Sequence, residues 1–196
     1  MPTHFLTHKA QLLFAKTLHD IAAPLGALNL CVDELKKALP ESADLIENSI
    51  ETLSKRINYW RMMLTGSENS PSFADAADAI RPLAKLRNID VVFLTANEYQ
   101  GLYVRLLLAL TMVAIESLPR GGTISIDADN GLVVGQGSKC FIHKEMHDAI
   151  VSEVKQPSSH HSLGLLIYDW AKTCNASVKL EHEPTKLTLG LLGIAS

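Results

Sequence analysis

The chain has 196 residues, of which 47% are apolar and 20% charged. That globular composition excludes wholesale disorder. Eighteen Lys and Arg stand against 21 Asp and Glu, a net charge of −3, so no global basic field recommends nucleic acid as a partner.

Three widely spaced cysteines, Cys31, Cys140 and Cys174, form no CxxC pair. They fit reduced thiols in a cytosolic protein, not a disulfide framework or a zinc site. Residues Met1 to Gln11 lack the apolar core and cleavage site of an export signal. The most apolar run, Leu106 to Ile115, is about half a bilayer span and reads as a buried helix. A cytoplasmic protein without a membrane segment is expected.

Residues 1–66 carry seven positive and seven negative charges, and the remainder eleven positive and fourteen negative. The break falls at Gly66 to Ser72, a stretch rich in Gly, Ser, Asn and Pro. Two domains are therefore expected, 1–66 and 72–196.

The first domain predicts two long helices. Leu18, Ile21, Leu25, Leu28, Val32, Leu35 and Leu39 recur at alternating spacings of three and four, as do Ile46, Ile50, Leu53, Ile57, Trp60 and Leu64. Both are heptad seams. Residues Ala38 to Ser42 make a short connection, with Pro40 stopping the first helix. Such a helical hairpin is antiparallel, and it has too little core to stand alone. Two hairpins pack into a four-helix bundle, so a homodimer through residues 8–65 is expected. The competing arrangement packs the hairpin on its own second domain.

The second domain predicts a strand at Ile89 to Leu94, a helix at Tyr99 to Leu118 and a strand at Gly122 to Ala128. Asp129-Asn130-Gly131 follows as a hairpin turn, then a strand at Leu132 to Val134. Helices are expected near Lys144 to Val154 and at Ser162 to Cys174. Strands Ser177 to Glu183 and Leu187 to Leu192 close around Pro184-Thr185. The fold class is α+β: the helical hairpin is followed by an α/β sandwich with a mostly antiparallel sheet.

His19 is the candidate reactive residue. It lies one residue past the seam position Leu18 and so points outward. Its neighbours three, four and seven residues away are Leu12, Ala15, Lys16, Ala22, Ala23 and Gly26. Four of the six are Ala or Gly, which suits a surface over which another protein closes. Pro24 removes a helical hydrogen bond one turn later and predicts a kink. A neutral imidazole is a nucleophile near pH 7. Asp20 is placed to orient the ring, and Lys16 to offset phosphoryl charge. The expected docking surface is Ala15, Lys16, Ala22, Ala23 and Gly26.

His19-Asp20-x-x-x-Pro24-Leu25 resembles the phosphoacceptor box of sensor histidine kinases. The second domain resembles their ATP-binding domain, through Leu110 to Ile126 with its Glu116-Ser117-Leu118-Pro119-Arg120-Gly121-Gly122 segment. The departures matter. The Asn that holds the nucleotide's Mg²⁺ in that family falls here on Val113, and the Asn one turn earlier on Ala109. Neither offers the oxygen that a hard cation needs. Gly135-Gln136-Gly137 lacks the Asp that reads adenine, and Asp129-Asn130-Gly131 is better read as a turn. Ser162-Leu163-Gly164-Leu165 echoes a later glycine box without the glycine-rich lid before it.

The combination resembles the ChpT-type histidine phosphotransferases. That resemblance implies a homodimer relaying a phosphoryl group through His19 between receiver domains of a hybrid histidine kinase and of response regulators. No intrinsic cofactor is implied, and Mg²⁺ comes with the partner receiver. The alternatives are an active histidine kinase core lacking its sensor, and a receiver-binding module without transfer.

Other constellations carry less. His143 and His147 have a zinc-compatible spacing without a third ligand. Ser158, Ser159 and Ser162 read as helix caps, His160-His161 as a loop or helix start, and Trp60, Met62 and Met63 as packing. Arg120 either holds its turn or touches a receiver domain.

Overall fold

The computed structural model describes residues 21–22, 25–26, 28–29, 31–32, 35–64, 71–94, 97–154 and 161–193. The chain divides into two compact units, Met1–Asn69 and Ser70–Ser196.

In the first unit, residues 21–22, 25–26, 28–29, 31–32 and 35–38 are helical and are termed α1. Helix α2 is Pro40–Leu64. Only Leu39 interrupts the helical assignment between them. Pro40 is thus the first residue of α2 rather than just the end of α1. There its missing N–H costs nothing and its fixed φ favours the helix. The chain reverses, and Leu25, Val32, Ala43 and Ile50 form one buried cluster with Leu35 and Ile57 packed against it. Lys36 Nζ reaches across to Glu47 Oε2 at 2.8 Å.

The two seams split in a way that spacing alone does not reveal. On α1, Leu25 and Val32 are buried and Leu35 packs against them, whereas Ile21 and Leu28 are 45% and 51% exposed and Leu39, at the reversal, is 58% exposed. On α2, Ala43 and Ile50 are buried, whereas Ile46 and Leu53 are 38% and 49% exposed. Among the described residues, each seam thus has members that join the two helices and members that face outward.

The second unit runs α3 (Phe73–Lys85), β1 (Ile89–Phe93), α4 (Leu102–Ser117), β2 (Gly122–Asp127), β3 (Leu132–Gln136), α5 (Lys144–Val151), α6 (Ser162–Thr173), β4 (Ser177–Glu183) and β5 (Lys186–Leu192). The sheet order is β1-β2-β3-β5-β4. Strands β1 and β2 are parallel, joined through α4, and the other three pairings are antiparallel.

Helix α4 is apolar on all sides, with Leu106 through Ile115 buried without exception, as a helix enclosed by its neighbours must be. It packs against β2, β3 and β5 of the sheet and against α3 and α6, which themselves pack on β1 and β4. The end of α4 packs on β3 at Gly135, where a Cβ would make ordinary contacts with Leu118 Cδ1 at 3.4 Å and Ala114 Cβ at 3.6 Å.

Helix α3 was not expected from the sequence. Ser72, counted with the linker, is its N-cap. Asp75 N donates to Ser72 Oγ at 3.1 Å, and Ser72 N and Oγ donate to Asp75 Oδ2 at 3.1 and 2.7 Å. This is a reciprocal capping box.

The β2–β3 loop is also longer than the expected tight turn. Asp127 pairs with Leu132 across four intervening residues, and only Gly131 takes a positive φ (61°). Asp127 Oδ1 accepts from Asn130 N at 3.0 Å instead, an Asx-type closure. Ser162 is not a cap, because His161 holds the N-cap position of α6 and makes no side-chain cap bond.

Candidate functional site

His19, Asp20, Ala15, Lys16, Ala23 and Pro24 lie outside the described residues. Two members of the expected surface are described, Ala22 (half-buried) and Gly26 (exposed), both helical. Four residues apart, they share one face of α1. Leu25, beside Gly26, points into the hairpin cluster. A Cβ built on Gly26 would meet nothing within 4 Å. Among the described residues no packing therefore requires glycine at this point, although a helical glycine costs about 1 kcal/mol relative to alanine. Its absence of bulk keeps an open surface open.

In the second unit, the two positions set by the histidine-kinase resemblance against metal-holding asparagines carry aliphatic side chains. Ala109 and Val113 are 0% and 1% exposed. The buried polar side chains on α4 offer little in compensation. Thr111 Oγ1 donates to Leu107 O of its own helix at 2.7 Å, which occupies the hydroxyl proton. Gly164, the echo of a glycine box, lies inside α6 and is buried. A Cβ there would fall 2.6 Å from Ala149 Cβ and 3.1 Å from Met146 O. The glycine serves the close crossing of α5 and α6.

Asp129 is equally committed. Asn97 Nδ2 and Tyr99 Oη donate to its Oδ1 at 3.1 and 3.0 Å, while Tyr103 Oη donates to Ala128 O. Burial, then Tyr99, Asp127 and Asp129, push the Tyr103 phenol up to about 12. These bonds tie the approach to α4 onto the β2–β3 loop and stay with structure.

The remaining sequence signals fall in separate places. His143 is the N-cap of α5 and packs edge-on against Phe141, with centroids 4.8 Å apart. His147 Nδ1 lies 3.2 Å from Asp148 Oδ1. Met63 is buried and Trp60 half-buried. Cys140 and Cys174 have their thiol pKa raised by burial, and Cys31 is exposed. Arg120 is exposed, and its turn is closed by backbone bonds, Gly121 N to Leu118 O at 3.2 Å and Gly122 N to Asn88 O at 3.2 Å. The arginine side chain is not what holds the turn. Among the described residues no helix is long and apolar enough to cross a membrane.

No curated protein matches the chain. Among solved structures, one titled as a bacterial phosphotransferase aligns over 95% of this chain and 96% of its own, with a TM-score of 0.71 and 17% identity. Full-length ShkA in complex with AMPPNP aligns over 90% of this chain and 44% of its own, with a TM-score of 0.50 and 12% identity. The histidine kinase domain of the Erythrobacter litoralis EL346 blue-light activated histidine kinase aligns over 85% and 94%, with a TM-score of 0.47 and 10% identity. The first of these shares the fold from hairpin to sandwich. The family described as histidine phosphotransferase C-terminal domain matches residues 73–186, which is nearly all of the second unit and more than half of the chain. The protein belongs to the histidine phosphotransferases, of the ChpT type.

Proposed function

We propose that the protein relays a phosphoryl group between receiver-domain aspartates of a hybrid histidine kinase and of response regulators, through His19 and without ATP. The observation that carries this is a family C-terminal domain whose nucleotide positions, Ala109 and Val113, are sealed in an apolar core. A hard cation bound with nucleotide needs oxygen ligands there, and this chain offers aliphatic carbon. At these two positions α4 has no oxygen to offer the metal of a nucleotide such as the AMPPNP bound to ShkA.

The chemistry is a pair of displacements. The neutral imidazole of His19 attacks the phosphorus of an aspartyl phosphate. An N–P bond forms, the acyl P–O bond breaks and the receiver's carboxylate leaves. The second receiver reverses the step with its own aspartate. Such transfer depends on positioning and charge neutralisation. Mg²⁺ is brought by the receiver, Asp20 orients the ring and Lys16 offsets charge. The small face represented by Ala22 and Gly26, together with Ala15 and Ala23, admits the receiver.

The working form is a homodimer in which two hairpins make a four-helix bundle. Its support is the outward part of the seams, Ile21, Leu28, Ile46 and Leu53, which repeats every seven residues as a bundle interface does.

The test incubates the full chain with a phosphorylated receiver domain and follows the label. Transfer to wild type and onward to a second receiver, lost in His19→Ala, is expected. Absence of transfer to wild type, or undiminished transfer in His19→Ala, rejects the reading. Autophosphorylation from ATP would favour the kinase alternative.

A further inference from the structure

We infer that the second unit docks head to tail on the second unit of another copy of this chain, the cationic end of one against the acidic end of the other. The contact is separate from the hairpin bundle and does not depend on the relay.

The two ends follow from the strand register. Strands β1 and β2 begin side by side, with Ile89 opposite Gly122. Strand β3 ends where β5 begins, with Gln136 opposite Lys186, and β4 ends opposite the same lysine at Glu183. Four connections therefore meet at one end of the sheet. They are stitched by backbone bonds: Gly122 N to Asn88 O at 3.2 Å, Gly137 N to Thr185 O at 3.0 Å and Cys140 N to Pro184 O at 2.7 Å. At the other end lie the close of β1, the β2–β3 loop, and Leu192 opposite Ser177. The start of α3 joins them, because Phe73 N donates to Tyr99 O at 3.0 Å and Tyr99 Oη donates to Asp129.

Charge is divided between these ends. Residues 85–88, 119–121, 137–141 and 184–186 hold Lys85, Arg87, Arg120, Lys139 and Lys186 and no Asp or Glu. All five are exposed, and the ion pairs formed among the described residues involve none of them. At the other end, residues 71–75, 97–101 and 127–131 hold Asp75, Glu98, Asp127 and Asp129 and no Lys or Arg. The cations in the adjoining helix turns are otherwise placed. Arg105 is half-buried, and Lys172 Nζ lies over the Tyr168 ring, 4.5 Å from its centroid.

Exposed apolar side chains follow the same division. Among the described residues the unit exposes six large ones, Leu86, Val92, Leu94, Phe141, Val151 and Leu192, and four of these stand at the two ends. Leu86 and Phe141 accompany the cations, and Leu94 and Leu192 the carboxylates. Phe141 N donates to Ser117 O at 2.9 Å, which sets this residue beside the 119–121 turn. Apolar side chains among charged ones are the composition of a protein contact.

A second copy is the partner that uses both ends. Glu116, Glu183 and Asp90 border the cationic turns, which works against a uniform polyanion such as nucleic acid or an anionic membrane. Such a partner would also leave the carboxylates and leucines of the far end without a role. The net negative charge of each copy does not forbid the contact, because at physiological salt only charges within about 8 Å interact strongly. Head-to-tail contacts are heterologous and grow into open chains. One made by a few charges and apolar side chains is weak, so it shows at low salt and high protein concentration.

The experiment measures the mass of the full-length chain by light scattering over series of protein and salt concentrations, with circular dichroism to check folding. At low salt the wild-type mass should grow with protein concentration beyond the proposed hairpin pair, and high salt should return it to that pair. Growth should be lost in Arg87→Glu/Arg120→Glu/Lys139→Glu and, separately, in Glu98→Lys/Asp129→Asn, with association about tenfold weaker in each. Asp129→Asn keeps an oxygen for Asn97 and Tyr99 to donate to. Mixed together, the two variants should associate with each other, because each keeps the end that the other has lost. In Leu28→Glu/Leu53→Glu the salt-sensitive growth should persist. A wild-type mass indifferent to concentration and salt overturns the inference. So does growth that survives either charge variant, a mixture that stays unassociated, or growth that vanishes with the hairpin variant. Growth lost only on reversing the cations, with wild-type binding to duplex DNA or to phosphatidylserine vesicles, assigns that end to a polyanion and overturns the head-to-tail contact.

Discussion

In the hairpin, leucines and isoleucines of one chemical kind divide between inside and outside: Leu25 and Ile50 are buried, Leu28 and Leu53 exposed. In the sandwich, α4 buries Leu106 through Ile115 without exception. The first unit withholds part of its apolar seam from its own core, and the second encloses nearly all of its central helix. Burial scales with neighbours: a helix enclosed by a sheet and two further helices is covered on every side, while a helix in a pair is covered on one. The difference separates two tasks. The sandwich covers its central helix within itself, and the hairpin leaves apolar side chains exposed where the proposed second copy would cover them.

The largest effect is expected where the sandwich has no slack. Gly122 has φ 148°, and a Cβ there would fall 2.2 Å from Gln136 O, a backbone atom of the neighbouring strand. In Gly122→Ala the β2–β3 ladder must part or the residue must adopt a backbone conformation that L side chains rarely occupy. A loss of about 4 kcal/mol in the unfolding free energy is expected, measured by urea titration. If the sandwich were as loosely specified as the hairpin surface, the loss would be under about 1 kcal/mol.

The hairpin should respond in the opposite way. Leu28→Glu with Leu53→Glu places charges on the outward seam without touching Leu25, Val32, Ala43 or Ile50. Burying unpaired carboxylates in a bundle interface is prohibitive, so the variant should fall from two chains to one in light scattering at micromolar concentration, while the sandwich keeps its denaturation midpoint. A mass that stays at two chains would remove the outward seam from the interface.

Much of this contrast was legible in the sequence, and the remainder has physical reasons. Both seams were visible because heptad spacing is periodic, but spacing does not say which alternate residue meets the partner helix. The five strands were marked by β-branched runs and Gly or Pro turns, and α4 by its apolar length. Helix α3 was missed for two reasons. Its cap, Ser72, continues a loop-like composition, and Pro82 interrupts its pattern. The sign was Ser72-x-x-Asp75 ahead of Ala76, Ala77 and Ile80. Gly164 read as a glycine box because sequence records a missing side chain and not what fills the space. Ala149 fills it. Of the expected phosphoacceptor surface, the described residues reach Ala22 and Gly26 and not His19.

The smallest effect concerns that missed cap, at the border of the two units. Ser72→Ala removes the hydroxyl that accepts from Asp75 N, and a loss of about 1 kcal/mol is expected. The same hydroxyl and the Ser72 N–H donate to the Asp75 carboxylate, which lowers its pKa below the usual 3.8. A carboxylate with a depressed folded pKa stabilises the fold above its unfolded value, and this contribution disappears as pH falls through the folded one. The wild-type melting temperature should therefore exceed that of Asp75→Asn at pH 7, and the gap should close below pH 3.8. Because Asp75 is exposed, salt should narrow the gap at pH 7 as well. A gap independent of pH would mean that the Asp75→Asn variant fails through geometry alone, and that the charge on the N-terminal turn of α3 does nothing for the sandwich.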